Sequence, residues 1–110
     1  MKLFKIAILL VATMLAMPAL AAKLAPDNAR YAYVYAVGLN STGKRAEALS
    51  VLRAAEARHP YDLEILSALI SINRDAGDAK AALPYARKAA EIMPNDANVK
   101  KLLADLEAKQ

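Results

Sequence analysis

The most informative absences in this 110-residue chain concern side chains that carry chemistry. The sequence has no cysteine and a single histidine, His59, and its three glycines are isolated from one another. Without cysteine there can be no disulfide, no thioether-linked haem and no thiolate metal site. Isolated glycines do not build a phosphate-binding loop, and a lone histidine before Pro60 is more typical of a solvated helix end than of a general base. We therefore predict a protein that is not an enzyme and has no catalytic residue, metal or cofactor.

The formal net charge of +4 does not indicate a nucleic-acid partner. Lys2 and Lys5 belong to an N-terminal segment that we expect to be removed, and 15 basic residues less these two, against 11 acidic ones, leave +2. Acidic residues such as Glu47, Glu56 and Glu91 are interspersed with the basic ones, which is typical of a solvated surface and unlike a stripe that follows phosphates. We predict no nucleic acid and no small-molecule substrate.

The first 21 residues have the order of a secretory signal peptide. Two lysines lie within residues 1–5, residues 6–17 are apolar apart from Thr13, and Ala19 and Ala21 are small residues where a signal peptidase reads. We predict cleavage near Ala21 and a periplasmic or secreted mature chain. The alternative is a membrane anchor formed by an uncleaved signal, although the apolar run is shorter than the roughly 20 residues that span a bilayer and is broken by Pro18.

Beyond this segment, identical residues recur every 34 positions. The step relates Pro26, Pro60 and Pro94, and also Gly43 and Gly77, Ala48 and Ala82, and Ala55 and Ala89. Thirty-four residues is the length of a tetratricopeptide unit, which consists of two antiparallel helices and their turns. We predict an all-α, right-handed helix-turn-helix solenoid with two repeats and a C-terminal capping helix. The predicted divisions are an N-terminal segment at 22–28, repeat 1 at 29–62, repeat 2 at 63–96 and the capping helix at 97–110.

Helical periodicity and capping residues predict five helices, over residues 29–41, 44–58, 63–75, 79–92 and 97–109. Asp27 or Asn28, Asp62, and Asn95 or Asp96 are the expected N-caps of the first, third and fifth helices. Two segments conflict with this assignment locally. Residues 31–37 alternate like a strand, but the repeat register favours a helix, and Pro84 lies within the fourth helix, where we expect a kink or a late helix start.

The chain resembles the tetratricopeptide repeat family. The resemblance rests on Ala48, Leu52, Ala55 and Pro60 in the first unit, and on Leu66, Leu69, Ala82, Ala89 and Pro94 in the second. Ala32, Ile70 and Ala86 stand where the family consensus has tryptophan, a small residue and a large aromatic. More narrowly, residues 26–37, His59-Pro60 and residues 74–78 resemble the C-terminal repeat tail of exported multihaem tetratricopeptide cytochromes. Because this chain lacks the Cys-x-x-Cys-His haem motifs, the resemblance implies no redox role.

What the resemblance implies is a binding surface. The first helix of each tetratricopeptide unit lines a concave groove, so a peptide or partner helix is expected to lie there. The chain would then act as a protein interaction module or adaptor in the cell envelope. The alternative is a self-associating homodimer that serves as a structural or accessory subunit of an envelope complex, for instance a respiratory one. The predicted groove residues are Arg30, Tyr33, Val37, Asn40, Glu64, Ser67, Ser71 and Arg74.

Three tyrosines of the first predicted helix fall on two different faces. Helical spacing puts Tyr31 and Tyr35 on a common face, and we expect both to belong to the core. Tyr33 points elsewhere, towards the expected groove.

Overall fold

The fold consists of packed helices. The structure, a computed structural model, describes Leu20, Ala25 and residues 27–110. Within these residues there are five helices and no strand, which confirms the predicted all-α class. Apart from Leu20, the predicted signal peptide lies outside the described residues, as does Pro26. The helices are α1 Ala29–Ser41, α2 Arg45–Arg58, α3 Leu63–Asp75, α4 Ala79–Ile92 and α5 Ala97–Ala108.

Helices α1, α3 and α5 begin in the same way, with an acceptor side chain at the N-cap. The backbone N–H of Ile65 donates to Asp62 Oδ1 at 3.1 Å, and the equivalent bonds to Asn28 and Asp96 measure 3.1 and 3.0 Å. Such a bond satisfies one of the donors that the first turn of a helix leaves unpaired. Since these three caps lie 34 residues apart, the sequence period marks equivalent helix starts.

The turns that end α1 and α3 are built on glycine. Gly43 has a φ of +82° and Gly77 has a φ of +77°, a left-handed conformation that favours glycine. The Gly43 N–H donates to Asn40 O at 3.1 Å and the Lys44 N–H donates to Leu39 O at 2.9 Å. The same two bonds recur around Gly77, so both helices end in a Schellman motif. Three residues then suffice to lead the chain into the next helix, which packs against the previous one.

Helix α4 accommodates a proline in its interior. It begins at Ala79, capped by Asp78, and runs through Pro84 to Ile92 without interruption. The predicted alternative of a late helix start is therefore wrong. Pro84 is exposed, so the carbonyl of Lys80, which loses its usual N–H partner at this residue, lies on the solvent side of the helix.

Two clusters of buried apolar side chains hold the helices together, and α3 contributes to both. The first joins α1, α2 and one side of α3 through Ala32, Ala36, Leu39, Ala48, Leu52, Ala55, Ile65, Ala68, Leu69 and Ile72. The second joins the other side of α3 to α4 and α5 through Ile70, Ala82, Leu83, Ala86, Ala89 and Leu106.

Helix α5 packs on α4 through residues that lie 34 positions after those through which α3 packs on α1 and α2. Val99, Leu103 and Leu106 follow Ile65, Leu69 and Ile72 by 34 positions, and each set faces the helix pair that precedes it. The period therefore describes packing as well as helix starts and turns.

Ion pairs add links between segments that are distant in sequence. Arg30 pairs with Glu64, and Lys88 pairs with Glu56. The hydrogen bond with Glu56 raises the pKa of Lys88. Partial desolvation of the ammonium lowers this pKa, and the charge of Glu56 raises it further. Because the folded-state pKa is raised, this pair stabilises the fold at neutral pH. The contribution of the Lys88 shift is lost as the pH rises beyond the ordinary lysine pKa of 10.5 and through the raised folded-state value.

The N-terminal segment is tied to the end of α2. Arg58 Nη1 donates to Asp27 Oδ1 at 2.7 Å, and His59 Nε2 lies 2.6 Å from the backbone oxygen of Asp27. His59 is thus engaged at a helix end and half-buried, where the sequence analysis expected a solvated residue.

Of the tyrosines expected in the core, Tyr35 is half-buried against the first cluster but Tyr31 is 43% exposed. The prediction for Tyr31 is wrong. Among the described helices α1 packs on α2 and α3, and Tyr31 does not belong to the apolar cluster that these three helices share. Tyr33 is half-buried and also touches the first cluster.

Candidate protein-binding groove

A hollow of about 220 Å³ lies between α1 and α3. Both helices present residues at three-to-four spacing, which places them on one helix face. Positions 33 and 67, 37 and 71, and 41 and 75 are each separated by the repeat length, so the two helices contribute matched positions. The lining residues are Tyr33, Val37, Asn40 and Ser41 from α1, and Ser67, Ala68, Ser71, Ile72 and Asp75 from α3.

The chemistry of this first hollow is mixed. Val37 is 40% exposed and offers apolar contact together with the ring of Tyr33. The Asn40 amide supplies both donors and an acceptor, and the Ser67 hydroxyl can act as either. Asp75 adds a carboxylate at the end of α3. Such a surface can contact an apolar side chain while it hydrogen-bonds a polypeptide backbone.

A second hollow of about 240 Å³ lies on the other side of α3. Its walls are mainly apolar, and Arg74 is the charged residue that lines it. Leu63 and Met93, at the start of α3 and just after α4, are among the exposed large apolar residues of the chain. The full lining is Leu63, Ser67, Ile70, Ser71 and Arg74 from α3, Ala89 and Met93 from the end of α4, and Val99 and Leu102 from α5.

Ser67 and Ser71 line both hollows. Four residues apart, they form the exposed ridge of α3 between the hollows. Because serine side chains are short, the ridge that separates the two hollows is low. We call the two hollows and this ridge the groove.

Arg30 and Glu64 lie beside the groove and line neither hollow. Their side chains form an ion pair between the first turns of α1 and α3, and both are at least half exposed. The Arg30 guanidinium carbon also lies 5.5 Å from the centre of the Tyr33 ring. An exposed pair of this kind adds little stability.

The structure thus brings the predicted groove residues onto one face in three groups. Tyr33, Val37 and Asn40 share the first hollow with Ser67 and Ser71, Arg74 lines the second, and Arg30 and Glu64 pair beside them. Whether they bind a partner remains a prediction.

The second hollow was not predicted as apolar from the sequence, although Leu63, Met93, Val99 and Leu102 are among its lining residues. Helix α5 was predicted to have a capping role alone. Two large apolar residues could have indicated this hollow in the sequence: Leu63, the first residue of α3, and Met93, which follows the last residue of α4.

Two further properties bear on the site. Among the described residues, no three or more His, Cys, Asp and Glu side chains are grouped so that they could hold a metal ion. None of the helices in this part of the chain combines the length and the apolar character needed to cross a membrane.

No protein-family model matches the chain, and comparison with characterised proteins finds no relative that matches it.

Proposed function

We propose that this protein is an exported interaction module that binds a segment of another envelope protein in the groove. The observation that carries the proposal is that two neighbouring hollows share Ser67 and Ser71, so that apolar walls and a few polar groups lie along one face. Recognition of a peptide or a partner helix requires this combination, because apolar anchors supply affinity while hydrogen bonds set register.

The proposal includes the tetratricopeptide architecture. The recurrence of helix caps, glycine turns and inter-helix contacts at 34-residue intervals supports two units and a terminal helix that starts as a third. In this arrangement α1, α3 and α5 contribute to the concave side, and most residues that line the two hollows come from these helices; Ala89 and Met93, at the end of α4, are the exceptions. Export is proposed from the signal-like order of residues 1–21.

The expected ligand is a short polypeptide segment with apolar side chains for both hollows. Hollows of about 220 and 240 Å³ are each suited to one large side chain. A surface of this size buries less than the roughly 1,200 Å² of a stable complex, so we expect binding to be transient.

The test is photocrosslinking in the source cell. A benzoylphenylalanine is placed at Tyr33 in one variant and at Ser67 in another, and adducts are identified by mass spectrometry. We expect the same foreign protein at both positions, since both residues line the first hollow. Tyr61, which is 59% exposed and lies outside the lining of both hollows, is the matched control position and should give no such adduct.

A second variant separates binding from folding. Val37→Glu places a charge on an exposed apolar position of the first hollow and should leave the helical circular dichroism unchanged while it removes the adduct at Ser67. If the adduct persists in this variant, or if Tyr61 captures the same protein as efficiently, the groove is not the binding site.

A further inference from the structure

Tyr31 and Val34 form an exposed apolar face on the first helix. They are 43% and 42% exposed, whereas the residues 34 positions later in α3, Ile65 and Ala68, are 0% and 8% exposed. The residue types are comparable, so the difference lies in what covers them. Ile65 and Ala68 are covered by α1 and α2, whose side chains share the first cluster with them.

The same comparison identifies Ala54 as part of this face. Lys88 of α4 reaches back to Glu56 of the preceding helix pair. Ala54 lies 34 positions before Lys88, is exposed, and occupies the corresponding place on α2. We call Tyr31, Val34 and Ala54 the leading edge. These three residues carry no charge; the same comparison places Arg30, which corresponds to Glu64 and forms an ion pair with it, next to them.

The opposite end of the described chain is different. On α3, Leu66, Ile70 and Asn73 are buried, but 34 positions later α5 has Lys100, Ala104 and Glu107, all exposed. Charged residues replace buried ones at this end of the described row of helices, as in the terminal caps of repeat arrays. The leading edge has no such substitution.

We infer that the leading edge binds the leading edge of a second copy of this chain in a two-fold dimer. A head-to-tail stack would set Tyr31 and Val34 against Lys100 and Glu107 and would remove both charges from water without partners, which is costly. In a two-fold arrangement the same surface is used twice, and apolar side chains meet apolar side chains. The three residues of the leading edge carry no charge, and the adjacent Arg30 guanidinium is paired with Glu64, which limits like-charge repulsion across the axis.

The size of the edge predicts a weak dimer. Helices of 13 and 14 residues are about 20 Å long, and packed helices lie 8 to 10 Å apart. The edge of α1 and α2 therefore offers roughly 400 Å² per copy, or about 800 Å² in total, below the size of a standard stable interface. We expect a dissociation constant between about 1 μM and 1 mM.

Sedimentation velocity tests the dimer on the protein as the cell processes it, over concentrations from about 1 μM to 1 mM. The sedimentation coefficient should rise with concentration, and the double variant Y31K/V34K should stay monomeric with unchanged circular dichroism. Tyr61→Lys is the matched control, because Tyr61 is more exposed than Tyr31 and lies away from the edge; it should dimerise like the wild type. A monomer throughout the range would overturn the inference.

Cysteine cross-linking tests the two-fold arrangement, since the natural chain has no cysteine to interfere. With a short bis-maleimide, V34C should give covalent dimers and A104C, at the opposite end, should not. Efficient cross-linking between V34C and A104C in a mixture would show head-to-tail stacking and contradict the inference. So would an intramolecular link in L24C/V34C, which would mean that the chain's own N-terminal segment covers the edge.

Discussion

At the scale of single residues, the two glycine turns of this chain share one backbone conformation but lead into helices with different N-caps. Gly43 and Gly77 are both left-handed, and each is followed by the N-cap of the next helix. Asp78 caps α4 by accepting from the Ala81 N–H at 3.0 Å. Lys44 caps α2 without any side-chain bond, because an ammonium group has no acceptor. Its positive charge also lies near the positive end of the helix dipole.

Replacing Lys44 with serine should therefore stabilise the protein. A serine oxygen at this position can accept from the first turn of α2, and Glu47, three residues on, completes a capping box. We expect Lys44→Ser to raise the free energy of unfolding by about 1 kcal/mol, measured by urea denaturation. Lys44→Ala removes the charge but supplies no oxygen and should gain less; an equal gain would show that the charge alone is responsible.

These residue-level features differ in how far the sequence predicts them. The caps at Asn28, Asp62 and Asp96 follow from residue type and spacing, since few side chains can do this task. The exposure of Tyr31 does not follow, because burial depends on whether a neighbouring helix pair exists on that side. Helical spacing relates Tyr31 to Tyr35 but carries no information about which of them has a helix to pack against.

At the scale of elements, local signals conflict with the repeat in α1 and α4; the repeat register predicted the helix in α1, whereas the late start expected at Pro84 is wrong. Residues 31–37 alternate like a strand, yet they form part of α1. Helix α1 buries Ala32, Ala36 and Leu39 against α2 and α3, a stripe that the strand conformation would break. Helix α4 continues through Pro84 because Asp78 caps its start and Ala82, Leu83, Ala86 and Ala89 bury its inner face.

Pro84→Ala should then stabilise α4. Alanine restores the N–H that can donate to Lys80 O, and it removes the clash of the ring with that carbonyl. We expect the free energy of unfolding to rise by about 1 to 3 kcal/mol, towards the measured difference between alanine and proline inside helices. Urea denaturation measures the change. Lys80→Ala, at an exposed position one turn earlier, should stay within about 0.5 kcal/mol of the wild type. A loss of stability in Pro84→Ala would mean that the proline ring makes a packing contact that outweighs the hydrogen bond.

The groove shows the same division between what a pattern predicts and what only the fold reveals. The residues that α1 and α3 contribute follow from a helix face repeated at 34-residue spacing, so Tyr33, Val37 and Ser67 are predictable. The walls that Met93 and Leu102 form depend on how far α5 lies from α3 after the turn at residues 93–96. A one-dimensional period does not encode that distance.

At the scale of the whole molecule, the helices are connected as a row. Within the described residues, α1 packs on α2 and α3, α2 on α3, α3 on α4, and α4 on α5, and there is no close backbone contact between α1 or α2 and α4 or α5. In such a row, stability is approximately a sum of contributions from each unit and from each junction between neighbours. A change at one end should therefore be felt most strongly nearby.

Leu106 and Leu52 offer a matched pair of leucines with which to test this. Both are 0% exposed, Leu106 in the second cluster and Leu52 in the first. Truncation of either to alanine leaves a cavity and should lower the free energy of unfolding by about 2 to 5 kcal/mol. In a row, Leu106→Ala should reduce amide hydrogen-exchange protection mainly in α4 and α5, whereas Leu52→Ala should reduce it mainly in α1, α2 and α3. An equal loss of protection across all five helices in both variants would show that the chain opens as a single cooperative unit, since uniform loss is what global unfolding produces.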